Sequence, residues 1–391
     1  MSKVERLHVL LTGATGFLGG ELLFQLSLRP EVETIACLVR GEVQNLQPRL
    51  RRVFEVHGHA FPEQKISAIA GNLCDERLPE RLAAHSELER TQVVVHAAAN
   101  TSFLSQNTDQ IRETNVAGLA RLLRWVERLP DLRSFVQVST ASICGRDSTH
   151  RNVLEDESPN SSANQLVSYT ASKSDAERLV RERMPADRLL IARPSILVGD
   201  SRGWVPRSDP VLWALATMNR LRLLPVDGNA RLDMVPVDYA ATAILDLLFA
   251  ERKYRVYHVS SGPEGATSAE DLATTLSSAF PALPPFHFLP SASFAELARW
   301  IRGRSGGAGR FGEVSDYRGY WRRTFGDERR TVALLAALRP YFRFMELGQT
   351  FDNRRLLGDT GLPLSLPAHV YLRRCMEHIA TADIMGGALD P

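Results

Sequence analysis

A hydroxyl, a phenol and an ammonium stand at meaningful positions in this chain: Thr140, Tyr169 and Lys173. Tyr169 and Lys173 are four residues apart, so on a helix they share one face. Such a trio suits carbonyl reduction. Hydride arriving at a carbonyl carbon must be matched by protonation or polarisation of the carbonyl oxygen. A phenol can donate that proton, but its ordinary pKa is about 10. Bringing it near 7 takes roughly 4 kcal/mol. An ammonium one helical turn away and the positive ring of an oxidised nicotinamide are expected to supply this, lowering the phenol. The Thr140 hydroxyl would hold the substrate oxygen. Alone, each residue reads as a surface Tyr, a solvated Lys or a strand-end Thr. Together, after a cofactor turn, they read as a catalytic set.

That turn is Thr12-Gly13-Ala14-Thr15-Gly16-Phe17-Leu18-Gly19-Gly20. The apolar run Leu7–Leu11 before it reads as a buried parallel strand, and apolar residues at helical spacing follow from Phe17. Strand, glycine turn and helix N-terminus make a phosphate cradle, with Gly13, Thr15, Gly16, Phe17, Leu18 and Gly19 expected at the cofactor. The spacing is G-x-x-G-x-x-G. A second strand, Thr34–Val39, ends at Arg40, where an acid would suit NAD and an arginine suits a 2′-phosphate. No acid follows until Glu42, so NADPH is expected. Asn72 and Leu73, at the end of a third strand over 66–70, are placed beside the adenine. The small residues Ala97, Ala98 and Ala99, after a fourth strand over 92–96, are placed flat against the cofactor. His96 reads as a buried strand end, and Asn115 as a helix-interior residue bonding neighbouring backbone.

The elements that must position these groups alternate along the chain. A fifth strand, 135–138, runs into Ser139-Thr140. Residues 146–165 read as a loop, and a helix from Ser168 to about Arg183 carries Tyr169 and Lys173. A sixth strand, 189–192, is broken at Arg193-Pro194-Ser195, and a seventh covers 255–259. The expected architecture is α/β: a Rossmann-type doubly wound parallel sheet over 1–199 plus 231–260, with a smaller, mainly helical substrate lid over 200–230 plus 261–391. A helix start is expected at 267–270, and a flexible glycine-rich loop at 303–309. The run Val211 to Met218, with Leu221, Leu223 and Leu224, reads equally as an acyl groove or as lid packing. Net charge is +2 for 391 residues, which excludes a general nucleic-acid argument. Eleven arginines against four acids between Arg299 and Arg343 read either as steering for an anionic substrate (coenzyme A phosphates, an acidic carrier protein or a membrane surface) or, slightly preferred, as a solvated helical face. The four cysteines lack metal spacing and read as reduced, and no metal site is expected. No apolar run reaches 18 residues. A cytoplasmic location without a membrane span is expected, with peripheral membrane contact and oligomeric state left open.

Several motifs carry a family resemblance: T-G-A-T-G-F-L-G at 12–19, H-A-A-A at 96–99, T-N-V at 114–116, S-T at 139–140, Y-T-A-S-K at 169–173 and R-P-S at 193–195. The chain resembles the extended short-chain dehydrogenases/reductases over about two thirds of its length. That resemblance implies a Thr/Tyr/Lys site and cofactor contacts that include Tyr169, Lys173, Pro194, Ser195 and Ile196. The family usually has G-D-L where this chain has Gly71-Asn72-Leu73. Further motifs are C-L-V-R-G at 37–41, N-T-S-F at 100–103, D-M-V-P-V-D-Y at 233–239 and F-D-N-R-R-L-L at 351–357. They look like the acyl-thioester reducing branch: fatty acyl-CoA reductases and the terminal reductase domains of carboxylic acid reductases and nonribosomal peptide synthetases. That branch implies NADPH-dependent reduction of an acyl thioester, on coenzyme A or an acyl carrier protein, to the aldehyde, with some members continuing to the alcohol. The competing readings are a sugar-nucleotide epimerase or dehydratase and a hydroxysteroid-type carbonyl reductase on the same fold. Val39-Arg40 argues against the epimerase.

Overall fold

The computed structural model describes residues 6–41, 43–103, 105–156, 164–204, 210–290, 293–302, 311 and 315–387. Glu42 and the expected loop at 303–309 fall outside the described residues. The chain begins β1 (Leu7–Thr12), α1 (Phe17–Leu28), β2 (Val32–Val39), α2 (Val43–Val56), β3 (Ile66–Ala70), α3 (Leu78–Ala83) and β4 (Val93–His96). It continues with α4 (Thr108–Arg112), a π-helical turn Glu113–Ala117, α5 (Gly118–Val126) and β5 (Ser134–Val138). After the short β6 (Asn152–Val153) come α6 (Ser168–Arg183), β7 (Leu189–Pro194) and β8 (Ile196–Leu197). Then follow α7 (Pro210–Leu221), β9 (Leu223–Leu224), β10 (Arg231–Leu232), β11 (Met234–Val235), α8 (Val237–Phe249) and β12 (Val256–Val259).

Seven strands form one parallel sheet in the order β12-β7-β5-β4-β1-β2-β3. Helices cover both faces, which is why its strands are apolar runs and not alternating ones. Register puts Leu190, Val136, Val95, Leu11 and Cys37 in one row across the sheet. All five are buried in the same cluster with α1 and α8. The aligned rows bring the carboxyl ends of β1, β4, β5 and β7 to one edge, where open α/β sheets bind ligands. The fold is the expected Rossmann-like one.

Beyond β12 the chain is mainly helical: α9 (Gly262–Gly265), then β13 (Thr267–Ser268) and α10 (Ala269–Ala279). The expected helix start is present as a capping box, the Ser268 hydroxyl accepting from Asp271 N at 3.0 Å. Next come β14 (His287–Phe288), α11 (Phe294–Ile301), α12 (Tyr317–Phe325), α13 (Glu328–Glu346), β15 (Thr350–Phe351) and α14 (Arg354–Thr360). The α7 run is lid packing: Leu212, Ala214, Leu215, Ala216 and Met218 are buried in one cluster with Leu334, Leu338 and Phe342 of α13.

Two expectations are corrected. Residues 146–165 are not all loop, because β6 pairs in parallel with β15. Residues 350–360, expected in the lid, lie against the sheet layer, with Leu356 fully buried in the cluster that holds β1 and α8. Buried carboxylates and carbonyls hold them there. Phe351 N donates to Asp233 Oδ2 at 3.0 Å, and Asn353 Nδ2 donates to Ser260 O at 3.0 Å.

Candidate active site

The glycine turn packs backbone against backbone between the end of β4 and the start of α1. Gly13 has φ +79°, and a Cβ there would meet Ala98 N at 2.6 Å and Ala97 C at 2.8 Å. A Cβ on Gly19 would strike Gly13 O at 2.0 Å, so α1 packs directly on the turn. At Gly16 an added Cβ would meet only Gly13 O, at 3.3 Å, which leaves the outer side open. Gly16 caps α1 without a side-chain bond, and the first turn, with Phe17 and Leu18, holds no acid. Its free N–H groups therefore fit an anion such as a dinucleotide pyrophosphate. Thr12 locks the turn to β4: its hydroxyl bonds His96 Nδ1 at 2.8 Å and accepts from Ala98 N at 3.2 Å. Burial, then the charge of Lys173, pulls His96 down to about 3, so it is a neutral strand-end group, as expected.

Arg40 is exposed at the end of β2. A residue that sequence reasoning missed joins it. Arg49 of α2 donates from Nη2 to Thr15 Oγ1 at 3.1 Å and from Nη1 to the carbonyl of Arg40. Its only sequence signal was an arginine on the helix after β2. Leu73 and Asn72 follow β3, whose end is tied to β2 by Gly71 N donating to Val39 O. Asn72 turns its Oδ1 onto Cys74 N at 3.1 Å, and Leu73 is buried against Gly118.

Thr140, Tyr169 and Lys173 come together at the carboxyl end of β5. Lys173 Nζ donates to Val138 O at 2.8 Å and lies 6.0 Å from the centre of the Tyr169 ring. Two residues after Val138, the Thr140 hydroxyl donates to Pro194 O at 3.4 Å and accepts from Ser142 N at 3.3 Å. Pro194 and Ser195 are buried at the end of β7, and Ile196, at the start of β8, is half-buried. Asn115, in the π-helical turn, braces the other side. It bonds Asn100 N at 2.7 Å and Asn100 O at 2.9 Å, and donates to the hydroxyl of Ser172 at 2.9 Å. Asn100 follows Ala97, Ala98 and Ala99, so Asn115 bonds backbone just past β4 and not the expected strand backbone.

The expected lowering of the phenol invokes a bound nicotinamide as well as Lys173; in the chain alone the direction is opposite. Burial pushes the Tyr169 phenol up, and no bond joins it to Lys173 among those described. Burial pulls Lys173 down to about 8, against the carboxylate of Glu177. Sequence reasoning also missed an aromatic cluster beside Tyr169. Phe103 lies 6.1 Å from its ring and touches Tyr341 and Phe344 of α13 at 5.3 and 5.2 Å. A separate cavity of about 360 Å³ at the sheet edge is lined by Glu155, Tyr254, Arg355 and Asp359 among others, and by none of the catalytic candidates.

The family described as Male sterility protein matches residues 11–244. A nonribosomal peptide synthetase of Aspergillus flavus is 29% identical over 279 residues, 67% of this chain and 27% of the synthetase. Fatty acyl-CoA reductase 1 of Pongo abelii is 28% identical over 306 residues, 66% of this chain and 58% of that protein. The chain therefore spans less than two thirds of either relative. The crystal structure of the terminal R domain from the myxalamid PKS-NRPS biosynthetic pathway superposes with a TM-score of 0.71 at 25% identity, covering 97% of this chain and 91% of that one. No described helix is long and apolar enough to cross a membrane.

Proposed function

We propose, from the premise that this chain belongs to the male sterility protein family, that it reduces an acyl thioester to an aldehyde with NADPH. The family is an NAD(P)-binding oxidoreductase family of the acyl-thioester reductase type. The observation that carries the finer reading is the bonded run from Lys173 through Val138 and Thr140 to Pro194, on the sheet edge that also ends the glycine turn.

A reduced nicotinamide supplies hydride when bound, and the residues expected to hold it are those of the turn, Ala97–Ala99 and Pro194–Ile196. The chain itself handles the proton and the oxygen. Tyr169, kept protonated by burial, donates its phenolic proton to the carbonyl oxygen as hydride reaches the carbon. Thr140 orients that oxygen, and Lys173 places positive charge beside the phenolate that forms. Collapse of the tetrahedral adduct releases thiol and aldehyde. Arg40 and Arg49 support NADPH as the donor, since the Arg49 guanidinium bonds both Thr15 and the carbonyl of Arg40, and arginines at the end of β2 suit a 2′-phosphate.

The acyl donor is coenzyme A or a carrier protein, and the lid over 200–230 plus 261–391, less its 350–360 segment, receives it. The test is NADPH oxidation against acyl-CoAs, acyl carrier proteins and free aldehydes with product analysis. Aldehyde formed from a thioester is the expected result. Oxidation with free aldehydes alone would overturn the reading.

A further inference from the structure

We propose that Phe103, Tyr341 and Phe344 form the acyl subsite, and that it selects a flat, conjugated or aromatic acyl group over a saturated straight chain. This rests on the thioester-reductase reading above and names its substrate class.

Phe103 links the ring of the proposed acid to the other two rings. Phe103, on the loop after β4, is the hub, 6.1 Å from Tyr169, 5.3 Å from Tyr341 and 5.2 Å from Phe344. The rings are tilted by 44°, 54° and 33°. These separations lie where aromatic groups attract beyond simple area burial. Helical spacing divides α13 into two faces. Leu338, Phe342 and Met345 turn into the lid core and are nearly fully buried. Tyr341 and Phe344, three apart, stay half-buried on the side of Phe103 and Tyr169. Tyr341 also packs on that core, 6.3 Å from Trp213, so a core-filling role covers the first set and Tyr341 but does not account for Phe344.

The surroundings fit a neutral, flat occupant. At the end of α13, two residues beyond Phe344, half-buried Glu346 feels the charges of Arg343 and Arg146. Most apolar residues of the other candidate wall, α7, are buried in the lid core, and its Trp213 backs Tyr341 at 6.3 Å. Beside Tyr169 stands Phe103 with two further tilted rings against it, and a conjugated acyl group offers these rings an aromatic partner. An alkyl chain gains the area burial but not the ring–ring term.

The test uses pantetheine probes, which do not depend on the identity of the natural carrier. Cinnamyl-S-pantetheine and octyl-S-pantetheine, unreactive thioethers, are titrated into the wild type, Phe344→Leu and Phe344→Tyr. The wild type is expected to bind the cinnamyl probe more tightly. Phe344→Leu should shrink that preference by about 2- to 10-fold, as loss of one aromatic contact would. Phe344→Tyr should retain it, and NADPH affinity should match in all three proteins. Equal affinity for the two probes in the wild type, or an unchanged preference in Phe344→Leu, would overturn the subsite. Turnover of cinnamoyl- and octanoyl-pantetheine separates the two proposals. Preferential binding without reduction sinks the reductase reading and leaves the subsite standing, whereas reduction without preference sinks the subsite alone.

Discussion

Arg193 and Glu177 form a buried bidentate ion pair, Nε to Oε1 at 2.8 Å and Nη2 to Oε2 at 2.9 Å. Glu177 stands four residues beyond Lys173, as Lys173 stands four beyond Tyr169, so the pair closes the lower end of the catalytic face of α6. Arg193 immediately precedes Pro194, whose carbonyl receives the Thr140 hydroxyl. One ion pair thus joins the helix of the proposed acid to the strand end proposed to hold the cofactor. Glu177→Gln would leave a buried guanidinium without its main counter-charge, with Arg181 also 3.5 Å from the lost carboxylate. A loss of about 3–5 kcal/mol is expected. The double variant Glu177→Leu/Arg193→Met should lose less than Glu177→Gln alone. Urea unfolding of the three proteins checks this, and a double variant weaker than the single would refute it.

Tyr169→Phe removes only the hydroxyl from a ring held by Phe103 and backed by Lys173. Loss of a general acid typically costs 10²–10⁴-fold in turnover, so a fall of about that size is expected. NADPH binding, read by cofactor fluorescence, should be unchanged. Full retained turnover would discard Tyr169 as the acid.

Lys173 provides the pH handle. Burial holds it down to about 8, so its ammonium is intact below that value and is lost as pH rises through it. The kcat/KM profile should therefore fall on its alkaline side near pH 8. Lys173→Arg keeps its charge to far higher pH. Whatever activity that variant retains should show no limb near 8. A limb at the same pH in both proteins would assign it to another group.

Much of this was legible in the text of the chain, for a physical reason. Parallel strands buried on both faces are continuous apolar runs, and the turn after β1 needs glycine at Gly13 because Ala97 and Ala98 press against it. The shared face of Tyr169 and Lys173 follows from helical spacing alone. The missed features depend on contacts between distant segments. Nothing near Phe344 signals that it will touch Phe103, and nothing in F-D-N at 351–353 signals that its backbone will bond Asp233. For the Tyr169 phenol, spacing reports the nearby charge of Lys173 but not the burial that opposes it.

Arg49 offers a test of cofactor choice that sequence spacing did not suggest. Its fork spans Thr15 and the carbonyl of Arg40, so it sits between the glycine turn and the end of β2. Arg40→Ala and Arg49→Ala should each raise KM for NADPH by about 10- to 100-fold, the worth of a charge-assisted hydrogen bond. KM for NADH should move little, because it lacks the 2′-phosphate. Equal effects on the two cofactors would remove the basis for assigning NADPH.

Glu155 gives the fold its own pH dependence. It is buried and accepts from His258 N at 3.0 Å and Arg355 N at 2.8 Å, pinning the start of α14 to the edge strand β12. Burial raises it from 4.5 to about 7, despite those two bonds. Between roughly pH 4.5 and 7 the folded protein therefore holds a proton that the unfolded chain has released. Stability from this group is present at the acid end of that window, is lost as pH rises through it, and is flat above it. Glu155→Gln cannot titrate. The wild type should therefore lose urea-midpoint stability relative to Glu155→Gln between pH 5 and pH 8. The same shift in both proteins across that interval would show that the buried carboxyl does not titrate there.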